Sequence, residues 1–117
     1  MTYHKWDLAW AGLDPSVGHE QAGRRPVLVI SNDVISRAIG LVAVVPLTSL
    51  KKGRHVYPTE VLLPAEATSL PSRSLALCHQ VRTVSSRRLS PSNGRLDDQK
   101  LRQDVDKAVR LWLAIGT

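Results

Sequence analysis

At 117 residues the chain matches one domain with one core, since domains cluster near ~100 to 150 residues, and it is taken as a single unit spanning 1–117. Its 43% hydrophobic and 22% charged residues exclude a fibrous or disordered class, and no apolar run is long enough for a signal peptide or a membrane span, so the cytoplasm is the expected compartment. Sixteen Lys and Arg against ten Asp and Glu give +6, a balance suited to a polyanion such as nucleic acid.

In chain order, short apolar runs broken by Pro, Gly and Ser predict strands over residues 6–13, 25–31, 40–48, 54–63 and 73–84. Several short strands at this spacing favour a small antiparallel barrel. After the second, "SNDVISRA" predicts a short helix capped by Asn32 or Asp33. Residues 85–95, "SSRRLSPSNGR", form a turn-rich connection, where Arg87, Arg88 and Arg95 are either a phosphate track or a solvated charge run. Beyond it, Asp97 or Asp98 caps an amphipathic helix. Its inward stripe is Leu101, Val105, Ala108, Trp112 and Ile115, and Arg102, Asp106, Lys107 and Arg110 face outward.

The motifs of common metal and nucleotide enzymes are missing: there is no Walker loop, HExxH, zinc-finger spacing or GxSxG. His4, His19, His55 and His79 lack ligand spacing, and no metal or cofactor is expected. The lone Cys78 in "LALCHQV" reads as a buried, inert thiol. Trp6, Trp10 and Trp112 are candidates for core or dimer-interface positions, the latter because a small barrel with spare tryptophans has more apolar surface than one core needs.

Two arginines stand on the last step before a buried strand, in "GRRPVLVIS", and two hydroxyls, Thr48 and Ser49, end the next one. Antiparallel neighbours place the start of one strand beside the end of the other. A guanidinium is a forked donor that stays charged at working pH, and a hydroxyl beside it can bind a second phosphate oxygen. Strand alternation turns Arg24 and Arg25 to opposite faces, so only one of them can meet Thr48. The same alternation would set Gln80 and Arg82 on one face of their strand.

"DPSVGHEQAGRRPVLVISND", "VVPLTS" and "CHQVRTV", in this order and spacing, resemble the MazF/PemK family of toxin ribonucleases across nearly the whole chain. The resemblance implies an SH3-like barrel with a C-terminal helix, used as a homodimer. It implies cleavage of single-stranded RNA without a metal, and an antitoxin whose disordered acidic tail lies across the groove. The family's catalytic pair falls on Arg25 and Thr48, and Gln21, Arg24, Ser49, Gln80 and Arg82 are the expected RNA contacts. The general base stays open among Glu20, His19 and His79, and Gly18 and Gly23 give their loop freedom to move. Trp6 takes the place of the family's usual glycine, Gly12 that of a frequent acidic residue, His79 another such, and His19 a frequent serine. A competing class uses the same barrel to poison a protein target such as DNA gyrase and has no need of the Arg and Thr pair; a non-catalytic RNA-binding module is the other alternative.

Overall fold

The computed structural model describes residues 2–116. Its centre is a hairpin, β1 (Asp7–Gly12) against β2 (Arg24–Val29), continued by β3 (Leu41–Ser49). Beyond β3 lie β5 (Ser74–Leu77) and β4 (Glu60–Leu63), and on the far side of β1 lies β7 (Gly94–Arg95). β6 (Arg82–Ser85) also pairs with β3. All pairings are antiparallel, and the curled sheet runs β4-β5-β3-β2-β1-β7, a half-barrel with open ends at β4 and β7.

Period-two patterning makes both faces of the hairpin apolar, so the sheet buries side chains on each side. On one face Leu8, Leu28, Val45 and Leu47 join Val61, Leu63 and Ala76, and α3 (Gln99–Leu113) closes this core with Val105 and Ala108. On the other, Ala9, Ala11, Val27, Val29, Val42 and Val44 pack with Tyr3, Leu13 and Leu89. The short helix after β2 is α1 (Asp33–Ile39), capped by Asn32, whose side chain accepts from the Ile35 amide, and ended by Gly40 at φ 70°. A single turn, α2 (Ala65–Thr68), follows β4, and in α3 the cap is Asp98, accepting from the Leu101 amide.

Four expectations need correction. Only residues 60–63 of the fourth segment are a strand; residues 51–59 form a loop, with Arg54 turned back onto Glu60 through two 2.8 Å contacts. The fifth segment is two strands, because a 3-10 turn, Cys78–Gln80, interrupts it. β6 pairs with the first half of β3 and β5 with its end, and the register differs by three residues between them, the three residues that the turn takes up. The 85–95 connection also contains a 3-10 turn, Ser86–Arg88, and the short β7. Finally, the α3 stripe stops early: Trp112 and Ile115 are about half exposed, at 52% and 55%. Arg102 is turned inward instead, its Nε donating to the Leu96 carbonyl at 2.6 Å and its guanidinium lying 5.5 Å from the Trp6 ring.

Trp6 itself is buried in the core at φ 81°. That left-handed backbone favours glycine, yet a tryptophan adopts it here. Here Lys5 and Arg102 cover the indole, at 4.7 and 5.5 Å, and the Trp6 amide donates to the Val29 carbonyl at 2.7 Å.

Candidate active site

β2 and β3 pair through Val27↔Pro46, Leu28↔Val45 and Val29↔Val44. The pairing ends at Val27 and Pro46, two residues short of Arg25 and Thr48, which stand just beyond it on their two strands. Strand alternation alone would turn Arg24 and Ser49 to the opposite face, yet at the strand ends both reach the same cavity as Arg25 and Thr48. Arg25 pairs with Ala11 of β1, and Thr48 with Leu75 of β5. Each is therefore fixed by a strand partner on one side, and a rigid strand controls position better than a loop does. Arg24, Arg25, Thr48 and Ser49 line one open cavity of about 450 Å³. The Arg25 Nε donates to the Ala22 carbonyl at 3.1 Å, so the β1–β2 loop steadies the guanidinium; its two terminal amino groups have no hydrogen-bond partner among the described residues.

A second cavity, of about 410 Å³, has Pro46 in its wall, and His19, Glu20, Gln21, His79, Gln80 and Arg82 surround it. The loop side is organised by Gln80: its Oε1 accepts from the Gln21 amide at 2.7 Å and its Nε2 donates to the His19 carbonyl at 3.1 Å. Gln80 is on the 3-10 turn and Arg82 opens β6, so simple strand alternation does not relate them, yet the turn brings both to this cavity. Arg82 is braced by donating to the Leu13 carbonyl at 3.0 Å. Glu20 accepts from the Val17 amide at 2.6 Å, and His79 Nδ1 lies 2.9 Å from the Thr59 hydroxyl. The Gln21 side-chain oxygen is buried and has no partner among the described residues. A buried acceptor without a donor is costly, and a base amino group is a donor that would relieve it.

All ten predicted site residues thus line one or other of two cavities. His4 and His55 do not: the first meets Asp33 at 3.0 Å and the second stacks edge-on against Tyr57. Of the arginine cluster, Arg88 donates to the carbonyls of Gly12 and Asp14, and Arg95 pairs with Asp7 and Asp97. These two hold loops rather than a phosphate track. Burial pushes the Cys78 thiol up to about 12, which keeps it protonated and unreactive. Among the described residues no three His, Cys, Asp or Glu side chains converge as a metal-holding group. Sequence reasoning missed Trp10 and the 70–74 segment, which complete the 450 Å³ cavity. The hairpin offered a signal, since pairing Gly12 with Arg24 sets Trp10 beside Pro26.

A family model described as the PemK-like, MazF-like toxin of type II toxin-antitoxin systems matches residues 4–113. The chain is 35% identical to Endoribonuclease EndoA of Bacillus subtilis over 116 residues, 98% of this chain and 97% of that one. The crystal structure of MazF from Deinococcus radiodurans superposes with a TM-score of 0.81 at 29% identity, covering 98% and 99% of the two chains. The toxin in a MazE-MazF crystal structure from the same organism gives 0.73 at 29% identity, with 99% of each chain covered. On this match of model, sequence and fold, the chain belongs to the PemK-like, MazF-like toxins of type II toxin–antitoxin systems.

Proposed function

We propose that the protein is a sequence-specific endoribonuclease that cuts single-stranded RNA, messenger RNA included, in the cytoplasm without a metal, and so stops translation and growth. The observation that carries this reading is the cavity at the β2 and β3 strand ends that Arg25 and Thr48 both line. The relative from Bacillus subtilis, named an endoribonuclease, supports it.

In the reaction the RNA 2′-hydroxyl attacks its own phosphorus, the bond from phosphorus to the 5′-oxygen breaks, and a 2′,3′-cyclic phosphate forms. The 2′ proton passes to a base, and the leaving 5′-oxygen takes up a proton. Arg25 stabilises the charge that gathers on the non-bridging oxygens of the phosphorane; it is too weakly acidic to serve as the base. Thr48 donates to one of those oxygens and fixes the phosphate. The base comes from His19, Glu20 or His79, which share the second cavity. Gln21, Gln80 and Arg82 contact the RNA there, and Arg24 and Ser49 do so beside the catalytic pair. Cleavage should persist in EDTA and leave a cyclic phosphate or its hydrolysis product, while an all-deoxy copy resists. Strict dependence on added magnesium, or cutting of the DNA, would remove the mechanism.

The whole chain, 1–117, acts as one unit, and two copies associate. Support for the dimer is the apolar end of α3, where Leu111, Trp112, Leu113 and Ile115 are all exposed. Sedimentation at micromolar concentration should give twice 12.9 kDa, and a species of 12.9 kDa alone would contradict the dimer. The natural partner is a MazE-like antitoxin with a disordered acidic tail. The net charge of +6 suits it as well as RNA, and the similar toxin from Deinococcus radiodurans is found with MazE.

A further inference from the structure

We propose that the cavity beside Arg25 and Thr48 is a nucleobase subsite with Trp10 as its stacking surface, an inference that rests on the ribonuclease reading. Trp10 is paired with Pro26 in the β1–β2 hairpin. Its backbone is fixed on the other side by Ser90, whose Oγ accepts from the Trp10 amide at 2.9 Å and whose amide donates to the Trp10 carbonyl at 2.8 Å. The ring is half-buried, and the Arg24 guanidinium stands 6.0 Å from its centroid. Leu70, on the connection into β5, forms an apolar wall, and Ser72 and Ser74 add hydroxyls.

A volume of about 450 Å³ falls within the range of small-ligand sites, typically ~300 to 1,000 Å³. The lining combines a flat π surface, a planar cation and short hydroxyls, the set that binds an unstacked base through its face and its polar edge. With only 4% aromatic residues, the chain has few other surfaces for such stacking. Because Arg25 and Thr48 line the same cavity, the base held there belongs to a nucleotide adjoining the scissile phosphate. The pair of arginines before β2 then divides its work. Arg25 meets the phosphate, and Arg24 lies over the neighbouring base.

The test compares wild type, Trp10→Leu and Trp10→Phe. On mixed-sequence single-stranded RNA in EDTA, Trp10→Leu should lose about 5- to 150-fold in kcat/KM, chiefly through KM. Base preference at one position beside the cut should relax, and Trp10→Phe should lose less because it keeps a ring. In a second arm, a mixed-sequence 2′-O-methyl RNA, which lacks the attacking hydroxyl, should quench the tryptophan emission of wild type, and most of that quench should vanish in Trp10→Phe. The subsite is overturned if natively folded Trp10→Leu cuts at the wild-type rate with unchanged preference, or if the quench survives in Trp10→Phe. A Trp10→Leu variant that cuts RNA normally but binds antitoxin poorly would give the cavity to the protein partner and overturn it too. Wild type that cuts no RNA would sink the ribonuclease reading alone, because the quench still judges whether a base stacks on Trp10.

Discussion

Arg25→Ala should lose at least ~10³-fold in kcat/KM on single-stranded RNA while keeping a native circular-dichroism spectrum and its affinity for the antitoxin. The size of the loss follows from where the charge develops. The phosphorane carries charge that the ground-state phosphodiester does not, so a donor aimed at it acts on the transition state and lowers kcat rather than raising KM. The fold should survive. Arg25 is only half-buried at a strand end, and the one side-chain bond that removal deletes is the Nε contact to the Ala22 carbonyl. Arg25→Lys should fail nearly as badly, because a compact ammonium cannot reproduce a fork of two parallel donors. Arg24→Ala should weaken RNA binding without removing turnover. Its effect should fade as salt rises, by a slope of ~0.7 in log K per log salt for one lost single-strand phosphate contact, and should be larger if Arg24 also covers a base. The assignment is wrong if Arg24→Ala is the dead variant, or if Arg25→Ala turns over a good substrate at near-normal speed.

How much of this site could be seen in the sequence depended on how local its causes are. The antiparallel pairing of β2 with β3 comes from strands adjacent in the chain, both with strong period-two patterning, and so the gathering of arginine and hydroxyl at one cavity could be foreseen. Only resemblance singles out Arg25 over Arg24. The caps were equally local: Asn32 and Asp98 satisfy amides three residues on. The failures have non-local causes. "RHVYPTEVLL" alternates like a strand, but its first half is pulled into a loop by Arg54 reaching across to Glu60. "RSLALCHQVRTV" looks continuous, yet it must serve both halves of a bent β3, and the turn at Cys78–Gln80 absorbs the difference in register. At the end of α3 the apolar spacing persists after the sheet beneath it has ended, which leaves Trp112 at the surface, its ring edge-on to His79. Periodicity reports which side of a helix is apolar. It does not report how far the partner surface extends.

The Arg54 and Glu60 pair leads to the second large effect, on stability. Glu60 has 1% of its side chain exposed and accepts both terminal amino groups of Arg54 at 2.8 Å as well as the Tyr57 amide at 3.0 Å. Arg54→Ala leaves that carboxylate buried without its cation. Breaking a buried pair from one side is strongly destabilising, and since Arg54 is itself about a third exposed we expect a moderated loss, roughly a 10 °C lower Tm at neutral pH. Glu60→Gln should cost less, because the arginine it frees can turn to water. The pH dependence has a definite sign. Hydrogen bonds from Arg54, chiefly, hold the Glu60 carboxyl below the ordinary glutamate range, so its stabilisation is present above the unfolded value near ~4.3 and is lost as pH falls through the folded one. In Arg54→Ala the partner is gone, burial raises the carboxyl instead, and acid relieves the strain by neutralising it. The Tm gap between wild type and Arg54→Ala should therefore be widest above about pH 5 and close toward pH 3. Thermal melts across that range decide it: an Arg54→Ala protein as stable as wild type at pH 7, or a gap that stays constant into acid, would mean that this clamp does not hold the loop to β4.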